Sequence, residues 1–485
     1  MEVFNTAYTT AYILISILNI LFAIGVVFVE RRNIGATWAW LVILLFLPGV
    51  GFIFYLFFGQ NLSKRKRYRI KAEQLDQIVD MIEAQKHNIQ NNLIQYKDSE
   101  VSRYQDLIYM NLATNYAYFT QDNEIEVFTE GKYKFDSLLS DINQAKHHIH
   151  LMYYIIRNDK LGNSILSALT KKALEGVQVR FLYDDIGNAR LSRRFFKPLI
   201  DAGGQAVAFF PSRIPYMNFR LNFRNHRKLA IIDGACGYIG GFNIGDEYLG
   251  LKRRYGFWRD THFKIKGSSV LQMQAQFLLD WHLASSKEIP FDPMYFPLTK
   301  SEGSAAIQIV SSGPNDNREQ IKNALIKTIN SAKNSIYLQT PYFVPDESLL
   351  NAVKMAAMSG VDVRIMIPGN PDKKVLNWAS YSYLGDLLNV GVKCYLYKKG
   401  FLHAKTIVAD GTICSVGTTN IDIRSFKLNF EVNAFVYSSN TATLLKEFFE
   451  EDMNDCDELT LELYNNRPMF SRFIESLIRL FSPVL

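Results

Sequence analysis

One pattern of five residues occurs twice in this chain, and no other feature constrains the fold as strongly. In the first copy, His226 is followed by Lys228, Asp233, Gly240 and Asn243. The second copy consists of His403, Lys405, Asp410, Gly417 and Asn420. Counted from each histidine, the spacings are 2, 7, 14 and 17 residues in both copies. Chance clusters would not share four spacings, so the pattern indicates a duplicated domain whose copies each supply half of a site.

The duplication extends beyond these residues. Residues 176–180, Gly-Val-Gln-Val-Arg, resemble residues 360–364, Gly-Val-Asp-Val-Arg, and each segment follows an apolar strand and a helix. Alternating strands and helices are typical of an α/β sheet covered by helices. We therefore predict two similar α/β domains that face each other, over residues 116–300 and 301–485.

The first sixty residues have the composition of a membrane module. Residues 7–29 and residues 36–58 contain no charged side chain. Each run of 23 residues is long enough to cross a hydrocarbon core of about 30 Å as a helix. Together they predict a two-helix transmembrane hairpin over residues 1–60. Pro-Gly-Val-Gly at 48–51 leaves a re-entrant second element as the alternative.

A dense basic cluster follows this hairpin. Six of the eight residues at 64–71 are cationic, namely Lys64, Arg65, Lys66, Arg67, Arg69 and Lys71. Such a cluster behind an apolar segment favours an anionic leaflet on the cytoplasmic side, although Arg31 and Arg32 between the spans favour the opposite orientation. A solvated helix start is the alternative. Residues 61–115 carry apolar residues at helical spacing and predict a basic, helical stalk.

The cysteines do not indicate a metal. All four lie far apart without a paired spacing, which argues against both a zinc site and a disulfide framework. No other ligand spacing in the chain points to a bound ion. The sequence therefore predicts neither a metal nor a cofactor.

Local spacing limits which repeated residues act together. In each copy the histidine and lysine are two positions apart on a predicted strand, so their side chains project from the same face. Asp233 and Asp410 each precede a glycine between two apolar runs, which predicts a hairpin turn. Asn243 and Asn420 end the second strand of each hairpin, where a side-chain amide can bind a substrate phosphate.

Two histidines, two lysines and two asparagines around one cavity suit phosphoryl transfer without a metal. One imidazole attacks phosphorus and forms a phospho-histidine, while the other protonates the leaving alcohol and then deprotonates the incoming one. Lys228 and Lys405 stabilise charge on the nonbridging oxygens. Asp260 and Glu431 are candidates to orient the histidines through the other ring nitrogen, and ordinary ion pairing is the alternative for both.

The repeated residues match the HKD signature of the phospholipase D superfamily. A further resemblance, to bacterial cardiolipin synthases, extends to Trp38-Ala-Trp40, Asn225, Tyr-Gly-Phe-Trp-Arg-Asp at 255–260, Gln-Thr-Pro-Tyr-Phe at 339–343 and Ser-Pro-Val-Leu at 482–485. It covers nearly the whole chain. The resemblance implies tandem phospholipase D-like α/β/α sandwich domains that form a pseudo-dimer behind the transmembrane hairpin.

This resemblance also implies an activity. A phosphatidyl group passes from one phosphatidylglycerol to another, giving cardiolipin and glycerol. The reaction takes place at the bacterial cell membrane, where the catalytic domains face the cytoplasm and contact the anionic leaflet. No nucleic acid partner is implied. His226 is then the nucleophile and His403 the acid and base, although these roles can be exchanged. The rest of the catalytic group is Lys228, Asp233, Lys405 and Asp410.

Other functions compete with this one. A hydrolytic phospholipase D would use water at the same histidines. A phosphatidylserine synthase would use serine, although by the family resemblance the two-span module argues against it. A nuclease of the superfamily fits the positive charge but not the membrane hairpin. A scaffold with a dead site would carry damaged motifs, whereas both motifs here are intact.

Residues 473–481 predict an amphipathic C-terminal tail. Between residues 473 and 481, apolar residues recur at helical spacing. Such a tail lies either in the membrane interface or against the second domain.

Overall fold

The computed structural model describes most of the chain. The described residues are 10, 13–14, 17–25, 34–47, 51, 55, 72–211, 222–285, 289, 292–298, 301–480 and 482. The chain divides into two compact units, which are Met1–Lys66 with Pro211–Phe223, and Arg67–Phe210 with Arg224–Leu485.

Most of the described residues of the first unit are helical. Residues 17–25 form one helical segment, and α1 spans Ile34–Phe46. The side-chain amide of Asn19 donates to the carbonyl of Leu44, which ties the two segments together. Leu44 is buried between them, whereas most of the other apolar side chains described here are exposed.

The predicted transmembrane hairpin is not confirmed. Within the described residues, no helix is both long enough and apolar enough to cross a membrane. Parts of the predicted spans 7–29 and 36–58, and all of the basic cluster at 64–71, lie outside the described residues. The two spans therefore stay a prediction.

The first repeat of the second unit is built on a mixed sheet. Its strands are β1 (Thr120–Glu130), β2 (His148–Tyr153), β3 (Gln178–Asp184), β4 (Gln205–Phe209), β5 (Arg224–Asn225), β6 (Leu229–Ile232), β7 (Cys236–Gly240) and β8 (Phe257–Lys266). The order across the sheet is β1-β8-β7-β6-β2-β3-β4. Strands β2, β3 and β4 are parallel, and the other neighbours are antiparallel.

The second repeat follows the same plan. Its strands are β9 (Ala305–Ser312), β10 (Ser335–Gln339), β11 (Phe343–Val344), β12 (Asp362–Pro368), β13 (Lys393–Tyr397), β14 (Gly400–Leu402), β15 (Thr406–Ala409), β16 (Ile413–Gly417), β17 (Ile421–Asp422), β18 (Asn429–Tyr437) and β19 (Cys456–Leu459). The order β9-β18-β16-β15-β10-β12-β13 repeats that of the first sheet, and β19 is added beyond β13. The prediction of two similar α/β domains is confirmed, whereas their bounds at 116–300 and 301–485 stay a prediction.

Helices connect and cover these strands. They are α2 (Ala72–Gln90), α3 (Gln105–Asn115), α4 (Gly131–Gln144), α5 (Lys160–Leu174), α6 (Lys197–Asp201), α7 (Ser269–Ser285), α8 (Gln320–Ser331), α9 (Glu347–Met358), α10 (Lys374–Leu388), α11 (Ile423–Lys427), α12 (Ser439–Met453), α13 (Leu461–Asn465) and α14 (Met469–Arg479). Short 3-10 helices lie at Ser99–Tyr104, Arg193–Phe196, Asp246–Leu249 and Pro293–Tyr295.

The first sheet is covered by helices on both faces. Successive side chains of a strand point to opposite faces. On β2, Ile149 and Leu151 join the apolar core with residues of α4 and α5. His150, between them, stacks on Phe277 of α7 with ring centroids 4.5 Å apart. The first repeat is therefore an α/β/α sandwich, and all six residues of β2 are buried, as expected for a strand covered on both sides.

The segment predicted as a stalk is packed rather than projecting. Its described part is helical, in α2 and α3, as its apolar spacing predicts. Leu107, Ile108 and Leu112 of α3 are fully buried in the core of the second repeat, together with Ile82 and Ile89 of α2. The apolar residues at helical spacing thus form a face that the second repeat covers, and this part belongs to that domain.

Candidate active site

Each repeat extends one strand into the other. The short strand β5 pairs in parallel with β18 of the second repeat, and β14 pairs in parallel with β8 of the first. The strand before each histidine therefore lies beside a strand of the opposite repeat. As a result, the backbone N–H of His226 donates to the Phe430 carbonyl at 2.9 Å, and that of His403 donates to the Arg259 carbonyl at 2.7 Å.

The histidines and lysines lie between strands, so their prediction as strand residues was wrong. His226 to Lys228 connect β5 to β6, and His403 to Lys405 connect β14 to β15. The chain leaves the opposite repeat here and joins its own sheet, which interrupts regular pairing. Each lysine ammonium donates to the backbone carbonyl of its own histidine, at 2.6 Å for Lys228.

Each histidine is held by a carboxylate from the opposite repeat. Nδ1 of His226 lies 2.9 and 3.0 Å from the two carboxylate oxygens of Glu431 on β18. Nδ1 of His403 lies 2.5 Å from Oδ2 of Asp260 on β8. We refer to His226–Glu431 and His403–Asp260 as the crossed pairs. A carboxylate on Nδ1 fixes the tautomer and presents Nε2 to a substrate, which is the arrangement that a histidine nucleophile or acid requires.

Charge and burial define the protonation of the crossed pairs. Burial raises the pKa of Glu431, but the adjacent His226 and Lys228 outweigh it and hold this pKa below its usual value. Burial also raises the pKa of Asp260, but Lys405 and His403 outweigh this effect and lower it below its usual value. Both carboxylates are therefore ionised at neutral pH.

Burial has the opposite effect on the cationic groups. It lowers the pKa of His226 to about 4 and that of His403 to about 3, so both rings are neutral at pH 7 without substrate. Burial also lowers the pKa of Lys228 to about 7 and that of Lys405 to about 8, although the carboxylates of the crossed pairs oppose it. An anionic phosphodiester between these groups would raise all four pKa values.

The two crossed pairs differ in their surroundings. Glu431 also accepts from the Thr418 hydroxyl at 2.5 Å and from the side-chain amide of Asn429 at 3.1 Å. Asp260 instead accepts from the backbone N–H of Thr261 at 2.8 Å. At the place equivalent to Thr418 the first repeat has Gly241, where a Cβ would lie 2.0 Å from Oδ1 of Asp260.

The signature aspartates lie at the hairpin turns, as the Asp-Gly pattern predicts, and their assignment to the catalytic group stays a prediction. Asp233 and Asp410 each have φ +53° at the turn of the hairpins β6–β7 and β15–β16. The Asp233 carboxylate accepts from the backbone N–H groups of residues 146, 147 and 148 at 2.8 to 2.9 Å. Asp410 does the same at residues 333, 334 and 335. Both therefore hold the hairpin to the start of a neighbouring strand.

The two asparagines are engaged within the protein. The Asn243 carbonyl accepts from the backbone N–H of Ile155 at 3.1 Å, and its amide hydrogen-bonds Tyr248. The amide of Asn420 hydrogen-bonds Asp422, and among the described residues its buried carbonyl oxygen has no partner. Phosphate binding by these amides stays a prediction, because it requires them to leave these contacts.

The repeated spacing does not identify two arginines that also belong to the site. Arg227, between the histidine and lysine, forms a buried ion pair with Asp280 at 2.5 Å and donates to the Glu431 backbone carbonyl at 3.0 Å. Arg259 forms a second ion pair with Asp452 at 2.8 Å. Each arginine is adjacent in sequence to a site residue, but its partner is remote. Within the described residues, no group of three or more His, Cys, Asp or Glu side chains is arranged to hold a metal.

Comparison with known proteins agrees with this geometry. A family model described as the phospholipase D-like domain of cardiolipin synthase matches the chain twice, over residues 138–281 and 325–453. A model of the phospholipase D-nuclease N-terminal region matches residues 17–60. The chain is 50% identical over 478 residues to a cardiolipin synthase of Listeria welshimeri, covering 98% of this chain and 99% of the relative. The chain belongs to the cardiolipin synthase family.

Further similarities place this cardiolipin synthase family member among bacterial relatives. It is 50% identical over 470 residues to the major cardiolipin synthase of Bacillus subtilis, covering 97% of this chain and 98% of the relative. A crystal structure of phosphatidylserine synthase from Haemophilus influenzae superposes with a TM-score of 0.61 at 15% identity, covering 78% of this chain and 100% of that chain. At that identity the likeness concerns the fold alone.

Proposed function

We propose that this chain is a phosphatidyltransferase that joins two phosphatidylglycerol molecules into cardiolipin and releases glycerol. The observation that carries the proposal is the crossed pairs, which hold two neutral imidazoles in one site, each with Nδ1 on a carboxylate. The full-length similarity to relatives named cardiolipin synthase supports this choice of substrate.

In the first step, Nε2 of His226 attacks the phosphorus of one phosphatidylglycerol. A P–N bond forms, the P–O bond to glycerol breaks, and His403 in its protonated form gives its proton to the departing glycerol oxygen. His403 gains that proton when the anionic substrate binds beside it, since the substrate offsets the charge of Lys228 and Lys405. Both lysines stabilise the nonbridging oxygens as negative charge grows on them.

In the second step, a terminal hydroxyl of the second phosphatidylglycerol attacks the same phosphorus. Neutral His403 removes its proton, a P–O bond forms, and the P–N bond to His226 breaks. Cardiolipin is the product, His226 is free again, and His403 is protonated as it was in the first complex with substrate. The order of the histidines follows the family resemblance, and trapping the phosphorylated residue by peptide mapping would identify the nucleophile.

We further propose that the amino-terminal segments anchor the catalytic unit at the cytoplasmic side of the cell membrane. The uncharged runs at 7–29 and 36–58 and the six cations at 64–71 support two spans with this orientation. Protease added outside sealed spheroplasts should leave the catalytic unit intact. Its digestion there would contradict this orientation.

The activity is tested with purified protein reconstituted in phosphatidylglycerol vesicles, with the label in the glycerol headgroup. Wild-type protein should release labelled glycerol as cardiolipin forms, whereas His226→Ala and His403→Ala should do neither. Phosphatidic acid without cardiolipin would identify a hydrolase. Cleavage of DNA without lipid turnover would identify a nuclease.

A further inference from the structure

The last described helix, α14, exposes a row of large apolar side chains. These residues, which we name the outer row, are Met469, Phe470, Phe473, Leu477 and Leu480, with exposed fractions of 85%, 73%, 66%, 46% and 75%. At 3.6 residues per turn they fall within an arc of about 100° on one side of the helix. A contiguous exposed apolar surface of this kind marks an interaction site rather than ordinary surface.

The opposite side of α14 is fixed to the second repeat by polar contacts. Arg479 forms an ion pair with Asp386 at 2.8 Å and donates to the Ser382 carbonyl at 3.1 Å, both in α10. The buried carboxylate of Glu475 pairs with Arg467 at 2.6 Å. The tail therefore packs on the second domain, as one of its two predicted placements requires. Because these contacts set its rotation, the apolar side faces outward.

We propose that the outer row docks into the interface of an anionic lipid bilayer and holds the second repeat against the membrane that supplies its substrate. This inference rests on the proposed function. Two features favour a bilayer over a protein partner. The substrate is an anionic lipid, and the exposed cation Arg472 borders the outer row, where it complements anionic headgroups.

A comparison of bilayer and micellar substrate tests this docking. In the full chain, the double variant Phe470→Ser/Phe473→Ser should make cardiolipin about tenfold more slowly in phosphatidylglycerol vesicles, because the second repeat no longer engages the interface. In detergent micelles, where single lipids reach the site freely, its rate should match wild type. Equal loss in both substrates, or no loss in vesicles, would overturn the proposal.

A matched control uses exposed apolar residues elsewhere. Met355 and Met358 on α9 are 52% and 64% exposed, so Met355→Ser/Met358→Ser removes comparable apolar surface. This variant should retain wild-type rates in vesicles and in micelles. If light scattering in detergent shows that only Phe470→Ser/Phe473→Ser changes the molecular mass, the outer row joins two copies and the proposal fails.

A second measurement does not depend on catalysis. Brominated phosphatidylglycerol in vesicles should quench the added fluorescence of Phe473→Trp more than that of Met358→Trp, each compared with the native chain and its five tryptophans. Equal quenching would refute docking of the outer row. Because this result needs no turnover, it separates a failed docking surface from a failed assignment of the activity.

Discussion

Glu431 of the second repeat binds Nδ1 of His226 in the first, 205 positions away in sequence, and accepts two further hydrogen bonds, from the Thr418 hydroxyl at 2.5 Å and the Asn429 amide at 3.1 Å. The first histidine is therefore oriented by the second repeat. With Asp260 acting in the reverse direction, neither repeat contains a complete crossed pair.

Replacing Glu431 by glutamine should strongly reduce turnover. The amide keeps the size of the side chain but loses the charge that fixes the Nδ1–H tautomer of His226, so kcat should fall about 100-fold or more. Steady-state kinetics on phosphatidylglycerol would measure this, with Asp260→Asn as the counterpart at His403. A variant with wild-type kcat would mean that the carboxylate is only an ion-pair partner.

Removing the hydroxyl at Thr418 should have a smaller effect. Thr418→Ala deletes one charge-assisted hydrogen bond to Glu431, worth about 1.5 to 3 kcal/mol, so kcat should fall roughly 10- to 100-fold. Thr418→Ser keeps the hydroxyl and should recover most of the rate. Equal activity of the alanine and serine variants would show that the hydroxyl does not position Glu431.

A methyl group at position 241 should damage the other crossed pair. The added Cβ of Gly241→Ala would lie 2.0 Å from the Asp260 carboxylate, which must move away from His403. We expect loss of cardiolipin formation with little loss of thermal stability. The control is Gly176→Ala, a surface glycine with open space at its Cβ, which should stay active despite some destabilisation from its φ of +89°.

Asp233 and Asp410 should affect stability more than chemistry. Alanine at either position removes an acceptor for three backbone N–H groups, and the free energy of unfolding should fall by about 1 to 2 kcal/mol. Thermal unfolding measures this loss. The folded fraction at low temperature should retain most of its activity. Full inactivation at unchanged stability would place the aspartates in the reaction.

Activity should decline on the alkaline side. Burial lowers the pKa of Lys228 to about 7 and that of Lys405 to about 8, so the free enzyme loses these charges as pH rises through that range. The loss should appear in kcat/KM, which reports the free enzyme, whereas kcat should hold to higher pH because bound phosphate raises both pKa values. A kcat/KM profile that stays flat to about pH 9 would show that neither lysine charge is needed.

The duplication made much of this architecture predictable. Identical spacings from His226 and His403 identified two similar domains, and Asp-Gly between apolar runs located both hairpins. Asp260 and Glu431 could be nominated as carboxylates downstream of the two motifs, but their positions in the sequence did not show that each binds the histidine of the opposite repeat. Local pattern wrongly predicted that the segments from histidine to lysine are strands. The strands β5 and β14 end just before these segments because they pair with the opposite repeat, and periodicity within a segment carries no information about such pairing.

Long-range contacts account for the remaining differences. Arg227 forms an ion pair with Asp280, 53 positions away in sequence. The apolar face of α3 is buried against strands of the second repeat, which are also remote in sequence. The hydrogen bond from Thr418 to Glu431 is a further example. The sequence shows that the first repeat has Gly241 where the second has Thr418, but it does not show that Thr418 contacts Glu431. These contacts form only when segments that are distant in the sequence pack together in the folded chain.

The exchange of strands β5 and β14 has a consequence for how such a site can diverge. In a symmetric dimer of a single repeat, every substitution would appear in both half-sites at once. A single chain removes that restriction, and the present one carries Glu431 with Thr418 in one half and Asp260 with Gly241 in the other. One half can thus specialise for the lipid that donates the phosphatidyl group, and the other for the lipid that receives it.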